Sequence, residues 1–504
     1  MTIYSINLGI GWASSGVEYA QAYRAQILRS LGIPAKFIFT NMFQSENLEH
    51  FTKNIGFEDS EIIWLYGYFT DVKIAGTTYK KDDLEATFSQ HPTKKEVSSD
   101  RKLIRYYFEN QELYINASLY GENQEYVQRV EYVVKGKLIR KDYYSYTKVF
   151  SEFYAPGENG LQLCNRSFYN EDGSIAYEEI LSNEKSTFVF SNKICYGLEE
   201  LLEFMLEDLS LTKSDLILLD RATGIGQVVF ENIGAAKLAV VIHAEHFNEK
   251  NTDEYNILWN NYYEYQFTNA DKVNAFITST ERQKILLEEQ FTQYTSLHPK
   301  VVAIPVGSLE QLKFPEQSRK SFSMMTGSRL AVEKHIDWLI EGVALAQKRL
   351  PELTFDIYGE GGERRKLTEL LTKLHAGEFI ELKGHKQLDE IYQNYELYLT
   401  ASTSEGFGLT LMEAVGSGLP IIGFDVPYGN QTFVRSGDNG LLIERPKGDD
   451  RVRIVQAFAD SIYEYFTKFK KVDAQQYSYK IAENFKHEKL VERWKHFIEE
   501  VLND

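Results

Sequence analysis

Two glutamates that are separated by seven residues stand in a glycine-containing segment of the sequence, Ser-Glu-Gly-Phe-Gly-Leu-Thr-Leu-Met-Glu-Ala at 404–414. Glu405 follows a predicted strand, and Gly408 precedes a predicted helix whose free N–H groups and dipole attract an anion. Glycine lets the backbone approach a ligand closely. The pattern therefore indicates a ligand site, and the alternative is an ordinary capped helix with Glu413 near its positive end.

A second segment combines two cations with a glycine after a predicted strand. It reads Thr-Gly-Ser-Arg-Leu-Ala-Val-Glu-Lys at 326–334 and precedes a helix that we predict to begin at Glu333. Loop amides, a helix N-terminus, Arg329 and Lys334 together suit a phosphate or diphosphate group. Taken alone, the same segment is also compatible with a surface turn that carries an exposed Arg and Lys.

Three weaker signals lie at other predicted strand ends. Lys-Gly-His at 383–385 follows a strand, and its alternative is a plain strand-to-helix turn. The N-terminal loop Gly-Trp-Ala-Ser-Ser-Gly-Val-Glu-Tyr at 11–19 is glycine-rich, which by itself is weak evidence for phosphate binding. His243 ends another strand, where a histidine is more often structural. With Glu245 and His246 it could imitate a metal site, but two histidines at i, i+3 are poor support for one, and we leave His246 unassigned. No Asp-x-Asp follows a suitable predicted strand, so we predict no metal.

The elements that must position these residues follow an α/β pattern. Strand 3–8, a glycine loop, helix 17–31 and strand 35–39 form a βαβ unit, and strands alternate with helices again from 198 and from 321. Parallel sheets of this kind bind ligands at the carboxyl ends of their strands, which is where the segments above fall.

Residues 75–195 have a different sequence pattern, in which Tyr, Phe, Val and Thr recur at every second position between turn-forming residues. We predict an antiparallel meander inserted into the first α/β domain. Its tyrosines reflect either high β-propensity or a contact surface. The predicted domains are 1–74 with 196–305 and the helix 485–504, then 75–195, then 306–484.

Bulk properties limit the function classes. The 504 residues carry a net charge of −18, which argues against nucleic-acid or anionic-membrane binding over a broad surface. Two cysteines, Cys164 and Cys195, indicate no disulfide framework and fit a reducing cytosol. We expect no signal peptide and no transmembrane helix.

The Glu405–Glu413 segment resembles the Glu-x7-Glu motif of the retaining GT-B glycosyltransferases of family 4, which include sucrose synthase and bacterial wall-polymer transferases. The resemblance implies two Rossmann-like domains that face a cleft. It implies that Glu405, Arg329 and Lys334 are catalytic, with the two cations on the donor diphosphate. Where this family has paired glycines, the sequence has Ser15-Gly16, which puts a direct Ser15 contact in doubt. The implied donor-binding residues are Gly16, Val17, Glu18, Tyr19, His243, Gly384, His385, Ser404, Glu405, Gly406, Phe407, Gly408, Leu409, Thr410 and Glu413.

Nearly the whole chain is similar to one subfamily, the catalytic A subunits of the accessory-Sec O-GlcNAc transferases. The residues that carry this similarity are the first twenty, the inserted meander and the Glu405 segment. It implies transfer of N-acetylglucosamine (GlcNAc) from UDP-GlcNAc to Ser or Thr of serine-rich-repeat adhesins, without a metal cofactor. It also implies a B subunit in an A2B2 assembly, paired through the inserted sheet, and a cytoplasmic location with peripheral membrane attachment.

The chemistry that this resemblance implies retains the anomeric configuration. No side chain is an obvious nucleophile, so we favour front-face attack over a covalent double displacement. Two alternatives stay open: a wall teichoic acid glycosyltransferase that self-assembles through a similar sheet, and a non-catalytic acceptor-binding subunit. The joint presence of Arg329, Lys334, Glu405 and Glu413 argues against the second alternative.

Overall fold

The structure is a computed structural model that describes residues 1–12, 14–108, 112–122, 124–157, 160–182 and 185–503. The N-terminal elements are β1 (Ile3–Asn7), α1 (Gly16–Ser30), β2 (Ala35–Phe39), α2 (Leu48–Asn54), β3 (Ile62–Trp64) and α3 (Lys81–Ala86). They are followed by β4 (Lys94–Val97), β5 (Leu103–Tyr107), β6 (Leu113–Tyr120), β7 (Tyr126–Val134), β8 (Lys137–Tyr144), β9 (Lys148–Gly157), β10 (Gly160–Tyr169), β11 (Ile175–Ser182), β12 (Lys185–Val189) and β13 (Ile194–Tyr196).

An α/β segment comes next, with α4 (Leu198–Asp208), β14 (Leu216–Leu219), α5 (Gly226–Asn232), β15 (Lys237–Ile242), α6 (Glu264–Thr268), β16 (Ala275–Thr278), α7 (Glu281–Tyr294) and β17 (Val301–Ala303). The C-terminal elements are β18 (Ser323–Gly327), α8 (Ile336–Gln347), β19 (Thr354–Tyr358), α9 (Arg364–Lys373), β20 (Ile380–Gly384), β21 (Leu397–Leu399), α10 (Leu409–Gly416), β22 (Ile421–Phe424), α11 (Gly429–Phe433), β23 (Gly440–Ile443), α12 (Arg451–Lys468), α13 (Lys471–Ala482) and α14 (His487–Asn503).

The chain divides into two compact units. The first unit comprises 1–25, 32–239 and 265–272, and the second comprises 26–31, 240–264 and 273–504. In the first unit, β14, β1, β2 and β3 lie side by side in that order, and each pairs in parallel with its neighbour. These strands are apolar and buried, as expected for a parallel sheet covered by helices.

The inserted sheet, β4 to β13, also belongs to the first unit. Across the described residues its ten strands follow chain order, and every neighbouring pair is antiparallel, which agrees with the predicted meander. Several of its tyrosines are core residues rather than surface residues, because Tyr106 and Tyr177 are almost fully buried. Arg166 lies buried between two carboxylates, 3.0 Å from Glu152 and 2.7 Å from Glu179.

The second unit contains a parallel sheet whose six strands, within the described chain, have the order β20-β19-β18-β21-β22-β23. Its core is formed largely by residues of α8, α9 and α12 that pack against the sheet. The sequence analysis did not predict α12 and α13, although α12 buries a helical stripe that includes Ile454, Phe458 and Ile462. Among the helices of the described chain, none combines the length and the apolarity needed to cross a membrane.

A buried ion pair fixes α1 beneath the N-terminal glycine loop. The Arg24 guanidinium contacts both oxygens of Asp220 at 2.8 and 2.9 Å, and it also donates to Ser5. Arg24 and Asp220 are at most 3% exposed. Gln21 donates to the same carboxylate at 2.9 Å and accepts from Asn7 at 3.0 Å. The network therefore joins α1 to β1 and to the end of β14.

We expect Asp220→Ala to lower the free energy of unfolding by about 3–5 kcal/mol, because it leaves the buried charge of Arg24 without its main partner. Urea denaturation measures this loss. The control is Asp460→Ala, which removes an ion pair with Arg349 whose side chains are 42% and 55% exposed, and which should cost less than about 1 kcal/mol. Equal losses in the two variants would contradict a special role for the buried pair.

Candidate functional site

The loop after β18 carries the two predicted cations. The helix that was expected to begin at Glu333 begins at Ile336, and a short 3-10 turn over Val332–Lys334 precedes it. Lys334 therefore lies in a turn beside the loop and not within the helix. The Arg329 side chain is 68% exposed and donates to Glu333 at 3.3 Å, so most of its guanidinium is available to a ligand.

Lys334 and Glu405 form an ion pair. The Lys334 ammonium lies 2.7 Å from Oε2 of Glu405, and only 17% and 21% of the two side chains are exposed. An ammonium has three donors. This contact uses one of them, so the others can bind an incoming anion. The structure thus joins the two segments that the sequence analysis had identified separately.

Backbone hydrogen bonds hold the Glu405 loop in place. The Glu405 carbonyl accepts from the N–H groups of Tyr428 at 2.9 Å and Gly429 at 2.8 Å. A Cβ on Gly406 would lie 2.9 Å from the His243 carbonyl oxygen, and a Cβ on Gly429 would lie 2.1 Å from the Phe407 carbonyl oxygen. The loop therefore requires glycine at both positions because other backbone is in contact there.

Tyr428 connects this loop to the segment after β15. Its hydroxyl donates to the Glu245 carboxylate, and burial raises the pKa of that carboxyl. Burial lowers the pKa of the adjacent His246 to about 4, so the imidazole is neutral at pH 7. Gln290 accepts from His246 Nε2 at 2.7 Å, which explains the residue that the sequence left unassigned as a buried structural histidine. The N–H of His243 donates to the Tyr263 hydroxyl at 2.9 Å.

Glu413 lies on the second turn of α10, below the Glu405 loop. The buried hydroxyl of Tyr392 donates to its Oε2 at 2.7 Å. Burial raises the pKa of Glu413 to about 7, although the hydrogen bond from Tyr392 acts in the opposite direction. The raised value stabilises the folded state fully below a pH of about 4.5, the ordinary value, and this contribution is lost as the pH rises through about 7.

Tyr398, on β21, links the end of β18 to the start of α10. The Tyr398 hydroxyl accepts from the Gly327 N–H at 3.2 Å, and it lies 3.0 Å from Thr410 Oγ1 at the start of α10. Gly408, with a φ of 87°, caps α10, which begins at Leu409 as predicted. Phe407 points inward and is only 4% exposed, which makes its side chain a packing residue rather than an open ligand contact.

The other predicted positions of the second unit lie at the sheet edge. Gly384 ends β20 with a φ of 74°, its carbonyl accepts from the Gly359 N–H at 2.9 Å, and His385 and Ser404 are exposed. The strand that was predicted to end at Leu382 extends to Gly384, so only His385 of the Lys-Gly-His segment follows it. No hydrogen bond among the described residues joins the side chains of His385 or Ser404 to Glu405.

The N-terminal loop is described within the first unit. Glu18 is 4% exposed, and its Oε2 accepts from the Ser15 N–H at 2.5 Å. Arg221 donates to Ser15 Oγ at 2.9 Å and lies 3.6 Å from Glu18. Gly16 begins α1, Val17 is half-buried and Tyr19 is 41% exposed. Glu18 therefore orders the loop from beneath, while Gly16 and Tyr19 remain open to a ligand.

Tyr392, Tyr398 and Tyr428 were missed by the sequence analysis, and Glu245 was considered there only as part of an imitation metal site. Each is distant in sequence from the residue that it holds, so no local spacing marked it. Within the described ranges, no group of three or more His, Cys, Asp or Glu side chains is arranged to hold a metal ion.

We expect Tyr428→Phe to loosen the Glu405 loop, since the variant keeps the backbone bond but leaves the half-buried Glu245 carboxylate without its donor. If the free energy of local opening falls by about 1–3 kcal/mol, amide exchange at Tyr428 and Gly429 becomes about 5–150-fold faster. Hydrogen-exchange mass spectrometry measures this. Tyr294→Phe, which removes a hydroxyl bound to an exposed backbone carbonyl, is the control and should leave both amides unchanged. Unchanged exchange in Tyr428→Phe would mean that the loop is held by its backbone alone.

Two family models match the chain. The model described as GtfA extended beta-sheet domain matches residues 95–192, and the model described as Glycosyl transferases group 1 matches residues 310–463. The first match coincides with the inserted sheet, and the second covers the loops of Arg329, Lys334 and Glu405. Together with the similar structures below, they confirm the predicted fold class, an α/β GT-B fold with an inserted antiparallel sheet.

Full-length relatives agree with these matches. The UDP-N-acetylglucosamine–peptide N-acetylglucosaminyltransferase GtfA subunit of Streptococcus parasanguinis is 96% identical over 504 residues, which are 100% of both chains. The crystal structure of the pneumococcal O-GlcNAc transferase GtfA in complex with UDP and GlcNAc has a TM-score of 0.95 at 54% identity, covering 100% of this chain and 99% of that one. A crystal structure of a GtfA/B complex has a TM-score of 0.95 at 51% identity, covering 100% of both chains. The family that the sequence indicated is thereby confirmed: this chain belongs to the GtfA subunits of the UDP-N-acetylglucosamine–peptide N-acetylglucosaminyltransferases.

Proposed function

We propose that the protein transfers GlcNAc from UDP-GlcNAc to Ser or Thr hydroxyls of a serine-rich-repeat adhesin, with retention at the anomeric carbon. The observation that carries the proposal is the Lys334–Glu405 ion pair beside the exposed guanidinium of Arg329. The site thus has two cations, Arg329 and Lys334, that can bind an anion, and a carboxylate, Glu405, that can accept hydrogen bonds from sugar hydroxyls. The relative crystallised with UDP and GlcNAc is similar to this chain over its full length, which supports the same donor.

In this proposal the cations bind the donor diphosphate without a metal ion, and Glu405 positions the sugar through its 3- and 4-hydroxyl groups. Glu413 accepts hydrogen bonds from the ribose hydroxyls. Backbone of the Gly384 loop contacts the nucleotide. The remaining proposed donor contacts are Gly16, Val17, Tyr19, His243, His385, Ser404, Gly406, Gly408, Leu409 and Thr410, together with the backbone of Glu18 and Phe407, whose side chains are buried. The domain limits predicted above stay part of the proposal, with 306–484 binding the nucleotide sugar and 1–74 with 196–305 on the acceptor side.

The transfer follows a front-face path. The bond between the anomeric carbon and the phosphate oxygen breaks, and its electron pair goes to the diphosphate. The acceptor oxygen attacks from the same face, and its proton moves to the departing phosphate oxygen. Arg329 and Lys334 stabilise the negative charge that develops on the diphosphate, which is the main catalytic contribution of the protein.

The protein works with a B subunit of similar fold, two copies of each, paired through the inserted sheet. A related GtfA/B complex of full-length similarity supports this partner. We place the assembly in the cytoplasm, attached peripherally at the inner face of the membrane, where the free thiols of Cys164 and Cys195 stay reduced.

UDP release from UDP-GlcNAc and a Ser-rich adhesin peptide tests the proposal, with and without the B subunit. We expect Glu405→Gln and Arg329→Ala each to lower kcat by about 100–1,000-fold, because each removes an interaction with developing charge or with the reacting sugar. The wild-type rate should rise with the B subunit and should not change in excess EDTA. Arg453→Ala, which removes a comparably exposed arginine bound to Asp450, is the control and should retain full activity.

Persistence of UDP release in both variants would place the donor site elsewhere. Transfer to poly(ribitol phosphate) in preference to the peptide would favour the wall teichoic acid alternative. Absence of donor turnover in the wild type, with peptide binding intact, would favour a non-catalytic subunit.

The raised pKa of Glu413 predicts a pH dependence of donor binding. The ionised carboxylate accepts from both ribose hydroxyls, whereas the protonated form accepts less well. We expect the KM for UDP-GlcNAc to fall as the pH rises through about 7, and UDP binding near that pH to release a proton. Calorimetry in buffers of different ionisation enthalpy measures the proton, and Glu413→Gln should abolish both effects. A KM that is constant between about pH 6 and 8 would contradict the assigned role.

A further inference from the structure

Two side chains beside the loop between β1 and α1 have no role in the donor binding proposed above. They are Arg221 and Trp12. The loop stands at the carboxyl end of β1, where parallel sheets bind ligands. Ser14 Oγ donates to the Gly11 carbonyl at 2.9 Å, which orders this part of the loop. The function of the two large side chains on either side of it is therefore open.

Arg221 follows β14, the strand that pairs with β1 on one side. Its Nη2 donates to Ser15 Oγ at 2.9 Å, and Oε1 of Glu18 lies 3.6 Å away, beyond hydrogen-bond range. A guanidinium has five N–H donors. Across the described residues the Arg221 guanidinium makes no second hydrogen bond, and 41% of the side chain is exposed. Arg221 can therefore donate to a ligand that lies over the loop.

Trp12 lies toward the other side of the loop. Its ring packs edge-to-face on Phe51 of α2, the helix that follows β2, with 5.2 Å between the ring centroids and 73° between the planes. Phe51 is 4% exposed, whereas Trp12 is 58% exposed. The contact thus holds the indole in place and leaves much of its surface open. A held tryptophan offers a large contact area at a low cost in side-chain entropy.

The positions of the two side chains match a short stretch of extended peptide. β14 and β2 are the two neighbours of β1. Strands in a sheet lie about 4.8 Å apart, so the ends of β14 and β2 are about 10 Å apart. An extended peptide rises about 3.3 Å per residue, so about three residues cover this distance. A peptide that crosses the loop can therefore contact Arg221 and Trp12 together.

The charges at the loop favour a neutral ligand. The Glu18 carboxylate, whose side chain is 5% exposed, lies beside the Arg221 guanidinium and offsets its charge. The donor diphosphate already has two cations, Arg329 and Lys334, in the proposed function. What Arg221 adds is directional N–H donors, and the carbonyl oxygens of a peptide are neutral acceptors for them. Arginine and tryptophan are also enriched where proteins bind other chains.

We propose that Arg221 and Trp12 bind the main chain of the acceptor peptide. Arg221 donates to its backbone carbonyls, and the Trp12 ring packs against its Cα–H groups and threonine methyl groups. The identity of the acceptor rests on the proposed function. Contacts to the main chain do not select one serine over another, so a site of this kind suits an acceptor in which many similar hydroxyls are glycosylated.

The test measures GlcNAc transfer to a short Ser-rich peptide by the full-length chain with its B subunit, at saturating UDP-GlcNAc. A short peptide limits compensation by contacts elsewhere. We expect Arg221→Met to lower kcat/KM for the peptide by about 10–100-fold and Trp12→Ala by about tenfold. Trp12→Phe should recover most of that loss. UDP binding, and UDP release without peptide, should keep their wild-type values in all three variants.

Two matched controls should keep wild-type transfer. Arg349→Met changes an arginine that is 42% exposed and paired with a carboxylate, Asp460. Phe314→Ala removes a ring that is 58% exposed and stacks on Tyr479 with a centroid distance of 4.5 Å. The two therefore resemble Arg221 and Trp12 in exposure and in contacts.

Wild-type kcat/KM for the peptide in Arg221→Met or in Trp12→Ala would overturn the proposal. So would an equal loss of UDP binding in Arg221→Met, because Arg221 would then order the loop for the donor. The KM for the peptide should change little with salt; a steep salt dependence that Arg221→Met removes would assign Arg221 to an anionic acceptor instead. If the wild type turns over no donor, the proposed function fails, and the dissociation constant of the peptide then tests the site: weaker binding in both variants supports it, and unchanged binding refutes it.

Discussion

The two hydrogen bonds that the Glu405 carbonyl accepts from Tyr428 and Gly429 determine the geometry of the second unit's functional region. They place one carboxylate where Lys334 can reach it, and they bring Gly406 against the backbone of His243. Because the contacts are made by backbone, they allow little adjustment: an added methyl group at either glycine would overlap a carbonyl oxygen. The rigid backbone of the loop therefore fixes the position of the Glu405 side chain, and the Lys334–Glu405 ion pair follows from that position.

Tyrosine hydroxyls provide a second layer of support. Tyr392 holds Glu413, Tyr398 links the loop after β18 to the start of α10, and Tyr428 holds Glu245. Each ring is buried while its hydroxyl reaches a polar group, which is the arrangement that satisfies tyrosine in a core. The same residue type supports the inserted sheet, where Tyr143 and Tyr154 both donate to the buried Glu152.

The sequence predicted those parts of the fold and the site that have a local signature. Strand, glycine loop and helix recur at fixed spacing, so β1, α1 and α10 were placed within a residue or so, and the period of two revealed the inserted meander. The Lys334–Glu405 contact could be expected only from the family resemblance, because 71 residues separate the partners. Tyr428 and Glu245 are 183 residues apart, and no local pattern links the two. The 3-10 turn before α8 was missed because residues 333–338 contain no Gly or Pro that would mark a helix boundary, and the left-handed backbone of His335 separates the turn from the helix.

The buried pair of Arg24 and Asp220 has a consequence for the order in which the chain is made. The partners are 196 residues apart, and the whole inserted sheet is encoded between them. At about 5–20 residues per second, a ribosome adds the second partner about 10–40 s after the first. During that interval the Arg24 guanidinium on α1 has no Asp220 to pair with and cannot be buried. The first parallel strands therefore cannot complete their core until β14 has been synthesised. Co-translational folding of the inserted sheet, whose contacts are between successive strands, can proceed in the meantime, and the α/β part of the first unit closes around it last.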